Sequence, residues 1–202
     1  MKVLVIGASG TVGSAVRALL LERGHEVVTV GRSGTADVIA DMTDPGSVSR
    51  MYEQVTGLDA VVCAAGGAVF RPLPQLTAED FEATFRGKAL SQLELVRQGA
   101  RHVAPQGSFT LISGVLTEEP IVAGAAVSAA NGAVEAFARA AAIELAPQRV
   151  NVVSPTLVAE SADAYGAFFP GIEPVPARRV ALAYLRSLEG HATGQIYRVT
   201  TP

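Results

Sequence analysis

Lys2-Val3-Leu4-Val5-Ile6-Gly7-Ala8-Ser9-Gly10-Thr11-Val12-Gly13, one residue in from Met1, is the stretch that decides the fold. A short β-branched run breaks into glycines three residues apart, and a helix-compatible sequence follows. Glycines placed there let the chain turn tightly, let backbone N–H groups approach a pyrophosphate and let the helix pack close to the strand, while the helix N-terminus attracts the anion. The strand–turn–helix context is what gives three glycines this meaning. Gly7, Ser9, Gly10, Thr11, Val12 and Gly13 are therefore the expected phosphate-binding segment.

Working outward, short β-branched runs alternate with longer helical stretches along the whole chain. Strands are expected at Lys2 to Ile6, Glu26 to Val30, Val38 to Ala40, Ala60 to Cys63, Ser108 to Ile112, Val150 to Val153 and Gln195 to Val199, each bounded by Gly, Pro, Asn or Asp. Helices are expected at about Gly13 to Arg23, Pro45 to Val55, Ala78 to Val103, Gly124 to Leu145 and Pro176 to Leu188. This alternation implies an α/β fold: a doubly wound, Rossmann-like, seven-stranded and mostly parallel sheet with helices on both faces. No repeat or composition shift divides the chain, so residues 1–202 are expected to form one dinucleotide-binding domain. The exception to the regularity is Thr156 to Pro176, where Pro155, Pro170, Pro174 and Pro176 flank Tyr165, Phe168 and Phe169. It reads as a loop or broken helix, either a flap packed on the body or a lid over a ligand.

Composition excludes several classes. Hydrophobic residues make up 49% and charged residues 17% of 202, too apolar for a disordered chain. The net charge of -3 and the scattered basic residues lack the footprint of a nucleic-acid binder. The apolar stretch Ile121 to Ala146 carries Asn131, Glu135, Arg139 and Glu144, so no membrane span is expected. A single cysteine, Cys63, excludes an internal disulfide and points to a reducing, cytoplasmic setting. His25, His102 and His191 show no ligand spacing, and no metal is expected.

The second expected strand ends Val30-Gly31-Arg32-Ser33, where an NAD-preferring protein usually places a carboxylate. Arg32 instead offers a guanidinium fork suited to a 2′-phosphate, with Ser9 and Ser33 as nearby hydroxyls. The expected cofactor is therefore NADP(H).

The order Gly7-x-x-Gly10-x-x-Gly13, Ala40-Asp41-Met42-Thr43-Asp44, Cys63-Ala64-Ala65-Gly66, Ile112-Ser113-Gly114 and Arg149-Val150-Asn151-Val152-Val153-Ser154-Pro155 resembles the short-chain dehydrogenase/reductase family over nearly the whole chain. The resemblance implies a small-molecule carbonyl or alcohol substrate and a homodimer or homotetramer built through the two long helices. Carried over by position, Asp41 and Met42 would meet the adenine, Ala64, Ala65 and Gly66 would line the adenosine ribose, Ser113 would hydrogen-bond a substrate carbonyl, and Pro155 stands where that family has Pro-Gly.

The departures are as informative. The family's Tyr-x-x-x-Lys pair falls on Val127 and Asn131, so both catalytic groups are missing. On the preceding helix the family's Asn position, counted from Asp80-Phe81, is Lys88. Asn and Lys thus exchange places, and an ammonium and an amide would share one pocket. The expected catalytic set is Ser113, Lys88 and Asn131. Lys88 could supply the proton if burial lowers its pKa, and Tyr165 could reach in from its loop. Two functions follow: an NADP(H)-dependent oxidoreductase of altered mechanism, or a non-catalytic dinucleotide-binding sensor or partner subunit.

Overall fold

Along β1 (Lys2–Ile6), Val3 and Val5 pack on one face of the sheet and Leu4 and Ile6 on the other, the period-two alternation of a strand covered on both sides. In the computed structural model, which describes residues 1–201, β1 is the third of seven strands, all parallel, in the order β3-β2-β1-β4-β5-β6-β7. The others are β2 (Glu26–Gly31), β3 (Val38–Ile39), β4 (Leu58–Cys63), β5 (Val103–Ile112), β6 (Arg149–Pro155) and β7 (Ile196–Val199). One face is covered by α1 (Thr11–Glu22) and α7 (Ala177–Glu189), through Val16, Leu20, Val180 and Tyr184. The other is covered by α2 (Pro45–Gln54), α4 (Ser91–Gly99) and α5 (Ala125–Glu144), through Met51, Tyr52, Leu95, Val134 and Ala138. Asp44 caps α2 by accepting a hydrogen bond from the Gly46 N–H, and Pro45 occupies the first helical position, where no N–H is required.

The strand order reverses between β1 and β4, so the chains leaving their carboxyl ends diverge and leave a crevice there, the place where doubly wound sheets bind ligands. The glycine segment leaves β1 and Ala64 leaves β4 at this crevice.

The sheet and helices match the sequence expectation closely, but three boundaries differ for physical reasons. The helix expected over Ala78 to Val103 is broken: α3 (Ala78–Thr84) runs into a π-helical turn at Phe85–Leu90 and then α4, which ends at Gly99. Gly99 lies against the Tyr52 hydroxyl and the Phe109 ring, where a side chain has no room. Val103, assigned to the helix by its helix-tolerant neighbours, instead starts β5 by pairing with Leu58, and an irregularity follows before Ser108 pairs with Ala60. The first helix starts at Thr11 rather than Gly13, so Gly13 sits inside α1 and faces the Gly7 carbonyl.

Thr156 to Pro176 is a broken helix. Two short 3-10 turns flank α6 (Ala162–Tyr165). Its base is pinned by a bridge between Val158 and Val175 and by the Glu160 carboxylate, which accepts the Ala177 N–H at the start of α7. No helix among the described residues is long and apolar enough to cross a membrane.

Candidate functional site

Two kinds of glycine form the turn after β1. Gly7 has φ +80°, and a Cβ there would lie 2.7 Å from the Ala65 Cβ; a Cβ on Gly13 would clash with the Gly7 carbonyl oxygen. Packing alone demands glycine at both. At Gly10 the nearest atom to an added Cβ is the Gly7 oxygen at 3.4 Å, an ordinary contact. Its open side faces a cavity of about 410 Å³.

That cavity is lined by Gly7, Ser9, Gly10, Arg32, Asp41, Met42, Ala64, Ala65 and Gly66, nine of the residues expected to hold the dinucleotide. Ser33 lines an adjoining cavity of about 400 Å³, which shares Ser9 and Arg32 with the first. Thr11, Val12 and Gly13 form the first turn of α1 and line neither cavity; Pro155, at the end of β6 and paired with Val199, lines neither as well, but its carbonyl oxygen lies 3.7 Å from where a Cβ on Gly114 would be. The adjoining cavity also holds Arg17, a second guanidinium that the sequence reading missed. Its signal was the helical spacing of four from Gly13, which sets it one turn further along α1. Asp41 turns its carboxylate back to accept from the Thr43 N–H and hydroxyl, and those hydrogen bonds lower its pKa. Asp37, in the adjoining cavity, is held low by its hydrogen bonds from Thr29.

The π-helical turn places Lys88. An inserted residue shifts the helical register, and π-turns concentrate at functional sites for that reason. Gly87 allows the turn to approach the chain after β4, where the Gly67 N–H donates to the Gly87 carbonyl at 3.1 Å. Lys88, one of two lysines in the chain, is consequently only 8% exposed. Its Cγ packs against Gly66, and its Nζ donates to the Ser113 main-chain carbonyl at 3.2 Å. Burial pushes the amine down to a pKa of about 8.

Ser113, Lys88 and Asn131 are brought together at the end of β5, but not all by the atoms expected. The Ser113 hydroxyl donates to the Glu135 carboxylate at 2.8 Å, and Thr117 donates to the same oxygen at 3.4 Å. Glu135 is buried on α5 one turn beyond Asn131, with Arg139 at 3.8 Å. Ser113 turns its side chain to Glu135, and the neighbouring Gly114 turns its missing side chain to Asn131, whose Nδ2 lies 3.2 Å from where a Cβ would be. Asn131 is 1% exposed; its Nδ2 donates to the Gly114 carbonyl at 3.3 Å, and its Oδ1 has no partner. A buried amide oxygen left without a donor costs on the order of 1–3 kcal/mol, which a bound donor would recover. Val127 is buried in α5, and no tyrosine stands four residues before either lysine.

The Thr156 to Pro176 segment reaches the glycine turn at one point and Phe70 at another. Ser161 reaches Thr11 at 3.4 Å, and the rings of Tyr165 and Phe168 lie 6.1 and 6.0 Å from that of Phe70. Glu118 pairs with Arg198, and His25 with Glu189.

Residues 7–188 match the family described as Enoyl-(Acyl carrier protein) reductase. An uncharacterized oxidoreductase of Methylorubrum extorquens is 29% identical over 178 residues, spanning 77% of this chain and 72% of that one. Among solved structures, the protein lin1944 of Listeria innocua is 48% identical with a TM-score of 0.95, covering 98% of this chain and 99% of its own. A small-chain dehydrogenase crystallised in complex with NADPH is 26% identical with a TM-score of 0.87, covering 98% and 96%.

Proposed function

The chain belongs to the short-chain dehydrogenase/reductase family, and from that premise we propose that residues 1–202 form one NADP(H)-binding domain that reduces a small carbonyl, or oxidises the corresponding alcohol, by an altered mechanism. The observation that carries this reading is the continuity of the two half-sites through Gly66. That residue lines the 410 Å³ cavity and packs against Lys88, and Lys88 in turn reaches Ser113.

The residues present fit a dinucleotide. Gly10 leaves an open cradle where the protein itself would accept a Cβ, and Asn131 Oδ1 is an acceptor awaiting a hydroxyl such as that of the nicotinamide ribose. Ser9, Arg32, Ser33 and Arg17 would hold a 2′-phosphate, a charge-assisted set to which NADH offers no partner. Asp41 and Met42 would meet the adenine, Ala64, Ala65 and Gly66 the ribose, and the N–H groups of Thr11, Val12 and Gly13 the pyrophosphate. Pro155 would border the nicotinamide end. When bound, the reduced nicotinamide supplies a hydride to the carbonyl carbon, and the oxygen takes up one proton.

The chain's own part in that step falls to Lys88. A positive charge fixed beside the developing alkoxide in a site shielded from water is worth far more than in bulk solvent. A pKa of about 8 leaves the amine mostly charged at neutral pH and close to the value at which a proton is most readily transferred. Ser113 contributes its carbonyl, which aims the ammonium, and its hydroxyl anchors the turn to Glu135. The small-molecule substrate, a homodimer or homotetramer and a cytoplasmic setting complete the reading.

The absence of any Tyr-x-x-x-Lys favours a second reading, a non-catalytic NADP(H)-binding sensor or partner subunit. A fluorescence titration with NADPH and NADH tests both. Micromolar NADPH binding is expected, weakened roughly tenfold in Arg32→Ala with little change for NADH. Equal loss of both nucleotides would remove the 2′-phosphate assignment. Steady NADPH consumption with a carbonyl panel separates the enzyme from the sensor.

A further inference from the structure

A cavity of about 290 Å³ lies between the turn after β5 and the far end of the Thr156 to Pro176 segment. Val115, Ile121, Val122, Phe168, Phe169 and Ile172 line it, all of them apolar. Two of these side chains are left without cover in the protein: Val122 is 82% and Phe168 38% exposed. Side chains of this kind clustered around a concavity gain free energy when an apolar ligand takes them out of water. The wall is supported from behind. Phe168 leans on the Phe70 ring, and the Arg71 N–H donates to the Ala123 carbonyl, holding the chain beside Phe70 against the Ile121–Gly124 turn.

Two further features define what fits. Val115 is buried two residues beyond Ser113, so the chain that lines the cavity leads directly from the residue whose carbonyl holds the Lys88 ammonium. The charge on the lining is of one sign: Glu119 is at the rim and no lysine or arginine is among the lining residues. A ligand carrying a carboxylate or phosphate there would lose hydration, gain no cation and face a carboxylate. We infer that the substrate is a neutral, largely apolar carbonyl compound or its alcohol, with its apolar part in this cavity and its oxygen toward Lys88, and that anionic substrates are rejected. This rests on the oxidoreductase reading above and adds to it the class of substrate.

The test is ligand binding to the full chain in the presence of NADP+, which gives no turnover of a ketone. The probes are 2-acetylnaphthalene and its carboxylated counterpart 6-acetyl-2-naphthoate, titrated calorimetrically. The neutral ketone is expected to bind at least about tenfold more tightly. Glu119→Gln should narrow that gap severalfold. Phe168→Ala, at a partly exposed position, should weaken the ketone by about tenfold while leaving NADPH affinity unchanged. Equal binding of the two probes, tighter binding of the carboxylate, or indifference of the ketone to Phe168→Ala would each overturn the inference. NADPH binding is measured on the same samples, so a chain that selects the neutral ketone and takes no dinucleotide breaks the oxidoreductase reading and leaves the apolar pocket standing.

Discussion

The glycine end of the crevice and its amine end meet the same sheet edge under opposite constraints. Around Gly7 and Gly13 the backbone comes so close to itself and to Ala65 that the residue type is dictated by space, and the site consists largely of main chain. Around Lys88 a long charged side chain is buried at a cost, with one main-chain carbonyl to receive it and an unpartnered Asn131 oxygen nearby. The first end is stable because of what it excludes. The second is held in a less stable arrangement by the fold around it, the mark of a site whose groups await a ligand.

Replacing Lys88 tests that contrast most severely. Lys88→Met keeps the length of the side chain and removes the charge. Carbonyl reduction is expected to fall by about 10²- to 10³-fold, the usual loss on removing one group that stabilises an oxyanion. Stability should move the other way. The amine has a pKa of about 8 when folded against 10.5 for an ordinary lysine, so below pH 8 the native state bears the cost of a buried charge. That difference corresponds to about 3 kcal/mol, less about 1 kcal/mol for the lost hydrogen bond to Ser113. Between about pH 8 and 10.5 the unfolded chain binds more protons than the folded one, so wild-type stability rises through this window and the variant's advantage shrinks. Denaturant melts at pH 7 and pH 10.5 check the sign; a variant less stable than wild type at pH 7 would mean that the ammonium is well solvated.

At the glycine end, Gly13→Ala and Gly10→Ala separate packing from ligand contact. A methyl group at 13 meets the Gly7 carbonyl, so about 1–3 kcal/mol of stability should be lost and NADPH binding with it. A methyl group at 10 meets nothing closer than 3.4 Å within the protein, so the melting temperature should hold while NADPH affinity falls. If Gly10→Ala bound NADPH as wild type does, the cradle would lie elsewhere along the turn.

The same contrast explains what could be read from the sequence. All seven strands and the tight glycine turn after β1 were legible because strand period and glycine spacing are local properties of the chain. The π-turn after Thr84 and the end of α4 at Gly99 were not, because what each meets is distant in sequence: Gly67 against Gly87 at the first, Tyr52 against Gly99 at the second. That Lys88 and Asn131 would share one polar region was an expectation from counting along the chain; both side chains are buried at the end of β5, bonded to the neighbouring Ser113 and Gly114 carbonyls. The direction of Ser113 was not visible. Ser113 and Gly114 are adjacent, and only the twist leaving β5 decides which of them faces Asn131 and which Glu135. Glu135 itself looked like one more charge on a long helix.

The smallest expected effect belongs to Tyr165, the other hydroxyl that could reach the site from the Thr156 to Pro176 segment. Its ring is 45% exposed and lies 6.1 Å from Phe70 at a tilt of 45°, and no hydrogen bond engages its hydroxyl among the described residues. An aromatic ring so placed serves by its area and leaves its polar end in water. Tyr165→Phe keeps the ring and removes only the oxygen, so carbonyl reduction should stay within about twofold of wild type. A loss of kcat comparable to that of Lys88→Met, with NADPH affinity unchanged, would show instead that the phenol swings in to deliver the proton. The Thr156 to Pro176 segment would then be part of the reacting site, and the amine end of the crevice would be complete only when that segment closes.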